Sequence, residues 1–464
     1  MKNPFSNYGG YFSAYNNPAR AATSFHTVHF NAFSYGFEIS NNFISLDAPF
    51  SSLDYLQRKV PDEYKGADGR IQWQNDWFSE NLDGKPKYGQ FNMVTFGPSL
   101  LVSYDNWGIA IGTANHTSVK AFNVSESLAR LVRVNNLSFD NLTDSSGQQI
   151  IDNSFSLSAQ SYQEFSLSIG NVVYHKGPFK IKAGFGFRFL LGLGYGEINN
   201  EGVDLRFYNQ DSIVLRNANL NVAYSNPVIF DQFQSDILNF DYTGTGYAFN
   251  IGGCFEWSPE LYEQLFRTER YKIRVGAVFS NFGALRYNRN VNKFSATLNN
   301  PVLINFQDSA LIASFAVSNS NGIAFLDSTI RSNMTVAQNA GDMRIRLPYN
   351  LQLDFDWNIF KGFYLGVIPN IAINTTSNFN FRNLSNYIFL PRFESRFFEV
   401  SVPLIYTQGI NNMRMGAMLR VGPVFVGTND VGFITRNEPI NNVGFYFGLA
   451  AGLLRPKKED KKVN

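Results

Sequence analysis

The sequence predicts an all-β fold: a transmembrane, antiparallel β-barrel of about 14 strands, with 12 to 16 allowed, and long outside loops. Three observations carry this. Strand-like alternation runs far longer than in soluble proteins, composition is poor in charge and rich in aromatics, and no helix-length apolar run exists. The first is clearest in "MRIRLPYNLQLDFDWN" (343–358), where Met343, Ile345, Leu347, Tyr349, Leu351, Leu353, Phe355 and Trp357 alternate with polar or charged residues, Pro348 excepted. A period of two implies one strand with two unlike faces, and ordinary strands stop after about five or six residues.

Composition agrees. Among 464 residues there are 45 Phe, 23 Tyr and 37 Gly, aromatics make up 16% and charged residues only 16%. Soluble domains carry about 25% charge. Mean hydropathy is −0.18, and no run of about 18 apolar residues is present, which excludes a transmembrane helix. A barrel reconciles these facts, because lumen-facing residues dilute the lipid-facing ones. Since lipid cannot satisfy an open sheet edge, the sheet must close. The net charge of +2 gives no reason to expect a nucleic-acid partner. One cysteine, Cys254, excludes an intrachain disulfide and a thiolate metal centre. "MKNPFSNYGGYF" has no apolar core of a signal peptide; the expectation is that such a signal lies upstream or has been removed.

Taken in order, the strands fall at 24–39, 42–50, 89–104, 106–118, 156–174, 179–197, 244–258, 270–285, 342–358, 361–375, 393–408, 411–428 and 442–454. A fourteenth is expected inside 200–225 or near the N-terminus, because such barrels carry even strand numbers. In "IKAGFGFRFLLGLGYG", Ile181 to Tyr195 share an outer face against Lys182, Arg188 and a row of glycines, broken only by Leu190. Phe363 to Ile373, Phe398 to Tyr406, Met413 to Val421 and Val443 to Leu453 repeat the pattern.

Short connections (40–42, 104–106, 175–178, 358–361, 409–412) alternate with long ones (51–88, 119–155, 199–243, 286–341, 376–392, 429–441). That is the arrangement of short periplasmic turns and long outside loops. Segment 259–269 reads as a helical inner turn. Trp107, Trp257 and Trp357 fall where strands meet inner turns, as an aromatic girdle would. Segments 52–60 and 126–134 read as short amphipathic helices, and loops 226–241 and 300–317 are apolar.

Three domain segments follow: a plug or periplasmic segment (1–23), the barrel (24–454) and a basic periplasmic tail (455–464). The expected lumen charges are Lys182, Lys272, Arg274, Arg414, Asp354 and Asp356 near the periplasmic end, with Arg188, Arg344, Arg346, Glu399 and Arg420 higher. In a narrow lumen such charges must pair or contact a plug. His26 and His29, three apart on a strand, are expected on opposite faces; with His116 and His175 they suggest no metal site. No G-x-S-x-G, H-E-x-x-H or P-loop pattern occurs, so neither an enzyme nor a cofactor is expected.

"SAYNNPARAA" (14–23), with Asn17, Pro18 and Ala19 before the first strand, resembles the N-terminal signature of FadL-like hydrophobic-compound transporters and of the related type IX secretion barrels. More closely, the chain resembles an uncharacterised outer-membrane barrel family of Bacteroidota, through "EISNNFISLD" (38–47), "RVGPVFVGTND" (420–430) and "NVGFYFGLAAG" (442–452). The resemblance implies an outer-membrane location and an N-terminal segment folded into the lumen, with Asn17, Pro18 and Ala19 at its turn. Two functions are compatible with it. One is uptake of hydrophobic small molecules captured by apolar loops. The other is a non-transporting scaffold or accessory barrel of a secretion or gliding complex. Expected partners are outer-membrane lipid and either a hydrophobic ligand or secretion-system proteins.

Overall fold

The computed structural model describes residues 4–51, 54–55, 57–126, 128–129, 149–209, 212–225, 242–259, 271–305, 327, 330–373, 381–410, 412–432 and 439–455. Fourteen antiparallel staves, each bonded to its neighbour in sequence, close when the last pairs with the first. They are β1 (His26–Asn41), β2 (Lys87–Tyr104), β3 (Trp107–Val124), β4 (Gln149–Lys176) and β5 (Phe179–Asn209). Next come β6 (Ser212–Ser225 and Gly244–Trp257), β7 (Ile273–Tyr287 and Val291–Thr297) and β8 (Thr335–Gln338, Met343–Arg346 and Tyr349–Phe360). The rest are β9 (Phe363–Ile373), β10 (Asn386–Glu394), β11 (Phe398–Ser401 and Leu404–Thr407), β12 (Asn412–Met415 and Ala417–Val421), β13 (Val424–Thr428) and β14 (Asn442–Leu454). The closed sheet thereby presents no free edge to lipid.

The expected strand number holds, but two expected strands and one expected loop differ. Segment 42–50 is not a stave. Ile44–Leu46 pairs only with Phe78–Glu80, in a lobe cored by Ala48, Phe50, Val60 and Trp77. The expected strand 411–428 is a hairpin, turned at Gly422 (φ 56°) and Pro423. The expected loop 376–392 contains most of β10, which turns into β11 through residues 395–397. Residues 212–225 and 244–257 both pair with β5 and so form one stave, β6. In 52–60 residues 54 and 55 form a helical turn, while 52, 53 and 56 lie outside the described residues, as do most of 126–134, 226–241, 260–269, 306–317 and 456–464.

One end carries the turns at 105–106, 177–178, 361–362, 395–397 and 422–423, and the other carries nearly all the long connections. The turns at 40–42 and 409–412 therefore lie at the long-loop end. Trp107, Trp257 and Trp357 all lie at the short-turn end, with Ile273 opposite both Trp257 and Trp357 in the ladders.

Several strands change face partway along, because a β-bulge adds one residue and reverses the side-chain alternation beyond it. On β7, Ser280 and Asn281 together oppose Asn250, and Asn281 takes φ 64°. Below this point Arg274 and Val278 face inward; above it Leu285 and Tyr287 do. β8 switches beside it at Leu347–Pro348, where proline has no N–H for the ladder. Thus Leu351 to Trp357 face outward as expected, but Met343, Ile345 and Leu347 are buried inside and Arg344 and Arg346 point outward. On β5 the extra residue is Leu193, so Tyr195 lies inside, fully buried, rather than on the outer row.

Candidate functional site

Residues 4–25 run inside the barrel. Tyr11–Asn16 form a helix, α1, and Pro18–Ala21 a 3-10 turn, for which Asn17 accepts the Ala19 N–H at 3.1 Å. Asn17 and Ala19 are fully buried and Pro18 is buried. Asn17 donates to the carbonyls of Gly253 (3.2 Å) and Ala277 (3.4 Å), so the turn is fixed to β6 and β7. The wall makes room for it with glycines. A Cβ would collide with Ala21 at Gly108, with Pro18 at Gly170, with Ala19 at Gly184 and with Asn17 at Gly252. The seat takes one glycine from each of the four neighbouring strands β3 to β6.

Beneath the turn lies a buried charge lattice. Arg20 pairs with Asp354; Asp356 accepts from Arg274 (3.0 Å) and Arg392 (2.6 Å); Arg392 also holds Glu394. Lys182 pairs with Glu256 at 2.7 Å and Arg420 with Glu399 at 3.1 Å. These contacts match five cations with five carboxylates, which is what burial of charge in a narrow space requires. The inner segment joins the lattice: Ser6 donates to Glu399 (2.8 Å), the Asn7 N–H to Glu394 (3.0 Å), and Arg274 to the Phe5 carbonyl (2.6 Å). Arg392 falls in the expected loop 376–392 and Glu394 in the expected strand 393–408, neither among the expected lumen charges, although Tyr387, Phe389, Pro391 and Phe393 alternate with them.

Other expected lumen charges fall elsewhere. Glu399 and Arg420 belong to this lower lattice, not higher up. Arg414 lies at the opposite end, beside Glu38 at 2.5 Å, because β12 descends. Lys272 sits at the rim, its ammonium 5.9 Å from the Trp357 ring and bonded to the Ile359 carbonyl. Arg344 and Arg346 are outside the lumen, for the reason given above. Arg188 lies inward, 3.5 Å from Glu164 and over the Tyr15 ring. His26 and His29 both face inward with ring centroids 4.8 Å apart, since a bulge at Thr27 reverses the expected alternation. Among the described residues no group of three or more His, Cys, Asp or Glu could hold a metal.

Above the lattice the lumen turns apolar. Leu190, Tyr195, Leu285, Tyr287, Met343, Ile345 and Leu347 pack together with Phe381. Tyr162 packs on that cluster and stacks on His116 at 4.8 Å; His116 lies 3.4 Å from the Tyr15 hydroxyl. Tyr15 leads to Tyr11 (5.9 Å between rings), and the Tyr11 hydroxyl meets Ser166 at 3.0 Å. Burial pushes the Tyr11 phenol up to about 12, so it stays protonated.

At Ser166 this aromatic track reaches the wall. There Gly97 and Pro98 of β2 together oppose Thr113 of β3, and β1 carries its own bulge at Ala32. The β1–β2 ladder skips 32–33 and 97–98, and Asn31 and Ser99 side chains instead serve the Gly97 carbonyl (3.0 and 2.9 Å). The result is a depression of about 400 Å³. It is lined by the outward-facing Phe30, Leu100, Ile111 and Phe165 and by the buried Ser99 and Ser166. Residues of both barrel faces thus share one cavity. Apolar walls with few polar groups suit a hydrophobic ligand.

A family described as "Family of unknown function (DUF5723)" matches residues 18–429. No curated protein matches by sequence. Among solved structures the chain is similar to the P. putida toluene transporter TodX, with 7% identity over 97% of this chain and 95% of that one, TM-score 0.42. It is also similar to the Ralstonia pickettii toluene transporter TbuX, with 9% identity over 96% and 94%, TM-score 0.39.

Proposed function

This chain belongs to the DUF5723 family of unknown function, and from the geometry of its lumen and wall we propose that it is an outer-membrane barrel that passes hydrophobic small molecules sideways into the bilayer. The observation that carries this reading is the outer-surface cavity at Gly97–Pro98, one of whose lining residues, Ser166, is hydrogen-bonded to Tyr11 at the foot of the aromatic track. The axial route is filled near the short-turn end by the inner segment, acting as a plug, and by the paired charges beneath it. A hydrophobic solute entering from the long-loop side would move along Tyr287, Tyr162, Tyr15 and Tyr11. It would leave through the wall, where it partitions into lipid without crossing the charge lattice. Aromatic faces supply contact area at low conformational cost, and the Tyr11, Tyr15 and Tyr287 hydroxyls are hydrogen-bonded.

The test is uptake of a labelled hydrophobic compound by cells making the protein. Thr113→Trp should fill the cavity and reduce uptake severalfold, whereas Val102→Trp, outward on β2 but outside the cavity, should not. Equal uptake by both variants and the parent would sink lateral release. The filled lumen favours a second reading, a non-transporting scaffold of a secretion or gliding complex. Under it, neither substitution alters uptake, and the same partner proteins co-purify with all three barrels.

A further inference from the structure

The reversal on β8 leaves a concentrated patch of positive charge on the outside of the barrel. Arg344 and Arg346 project outward, and Arg344 lies opposite Arg286, also exposed, in the β7–β8 ladder. Arg289, also exposed, follows three residues beyond Arg286 in the chain. Among the described residues one carboxylate is ion-paired with these four cations, Asp342, at 2.5 Å from Arg286. No carboxylate among the described residues is paired with Arg344 or Arg346.

Its height on the wall identifies what it faces. On β8 the outward row from Trp357 to Tyr349 is apolar and spans eight residue-to-residue steps, about 26 Å along the strand. Its upper end is aromatic: the Phe282 and Tyr349 rings lie 5.3 Å apart, and Tyr247 lies 5.6 Å from Phe189 and 5.7 Å from Phe187. An aromatic girdle marks the edge of the hydrocarbon layer. Arg346 and Arg344 follow three and five residues beyond Tyr349, about 10 to 17 Å farther along a tilted strand. That is headgroup depth, on the long-loop side.

We propose that Arg286, Arg344 and Arg346 form a binding site for phosphate-bearing lipid headgroups of the outer leaflet. Guanidinium forks match phosphate oxygens in charge and geometry, and three on adjacent strands can engage one headgroup carrying more than one phosphate. The proposal rests on the outer-membrane placement above but is independent of transport. It also explains why the strands change face here. The reversal moves Met343, Ile345 and Leu347 into the apolar lumen cluster and delivers the arginines to the interface in one step.

The test uses the purified barrel in nanodiscs doped with diphosphorylated lipid A, with dephosphorylated lipid A as the comparison, and native mass spectrometry to count retained lipid. The parent should retain the diphosphorylated form selectively. The triple variant R286A/R344A/R346A should retain it at least about tenfold less, given the contribution of each cation near an anionic surface. Arg70→Ala, at an exposed arginine of the outer lobe, should match the parent. Heat-modifiable migration on gels checks that each variant is folded; should the triple variant misfold, R344A/R346A replaces it. Equal retention of both lipids by the parent, or undiminished retention by the folded variants, would overturn the proposal. So would equal binding of a soluble, lipid-free anionic polysaccharide through the same arginines. None of these readouts depends on solute uptake, so failure here leaves lateral release standing, and the converse holds.

Discussion

Arg20 of the inner segment is ion-paired with Asp354 of β8, and both side chains are almost fully buried. This pair fastens the N-terminal segment to the wall 334 residues away in sequence. Asp354→Asn keeps the shape but leaves a buried guanidinium without its counter-charge. Removing one partner of such a pair costs about 3–5 kcal/mol. The expected outcome is a lowered urea midpoint together with faster protease cleavage within residues 4–25. Unchanged cleavage and midpoint would show that the pair does not hold the segment.

Arg392 has the larger role in the lattice, since it holds Asp356 and Glu394 together and is fully buried. Arg392→Met leaves two carboxylates facing each other, with Arg274 as the remaining ion-pair partner of Asp356 and the Tyr271 hydroxyl as its neutral donor. Stability should fall further than in Asp354→Asn and should recover partly at low pH, where protonated carboxylates no longer repel. Urea unfolding at pH 5 and pH 8 reads both effects. A variant as stable at pH 8 as the parent would contradict the assigned role.

Much of this architecture was legible in the sequence, because a period of two survives wherever a strand has lipid on one side. The outward rows of β9, β11, β12 and β14 stand where the alternation put them. Errors arose where local chemistry was silent or ambiguous. The turn at Ser395–Phe397 has neither glycine nor asparagine, so β10 was lost in a loop. The Gly422–Pro423 turn was read through, because the alternation on either side is unbroken. Bulges were the deepest difficulty. The pattern from Met343 to Trp357 is continuous in sequence, yet its meaning inverts at Pro348, because apolar residues above that point face an apolar lumen. For the site, Asn17, Pro18 and Ala19 were visible as a motif. The window at Gly97–Pro98 was not, since it depends on bulges in two strands meeting at one height.

The glycine seat leads to a separate expectation. At Gly184 any side chain meets the Pro18–Ala19 backbone, which cannot move aside as a flexible side chain could. Gly184→Val should therefore displace the turn while leaving the β5 ladder intact, since valine is a good strand residue. In planar bilayers the variant should show a higher or flickering conductance where the parent shows little. A conductance identical to the parent's, with the barrel folded, would mean that the turn does not obstruct the lumen.

The change of face on β8 can be read directly by cysteine labelling, after Cys254 is replaced by serine. With the barrel in nanodiscs, a water-soluble maleimide should react with Arg344→Cys and Arg346→Cys, which lie above the aromatic girdle on the outside. Met343→Cys and Ile345→Cys should stay protected, because both positions are buried in the lumen cluster. Leu353→Cys, on the outward row below the switch, should resist the polar reagent but react with a lipid-soluble one. If Ile345→Cys labels as fast as Arg346→Cys, the bulge at Leu347–Pro348 does not reverse the strand. The outward arginine patch would then be lost with it, along with the apolar lining of the upper lumen.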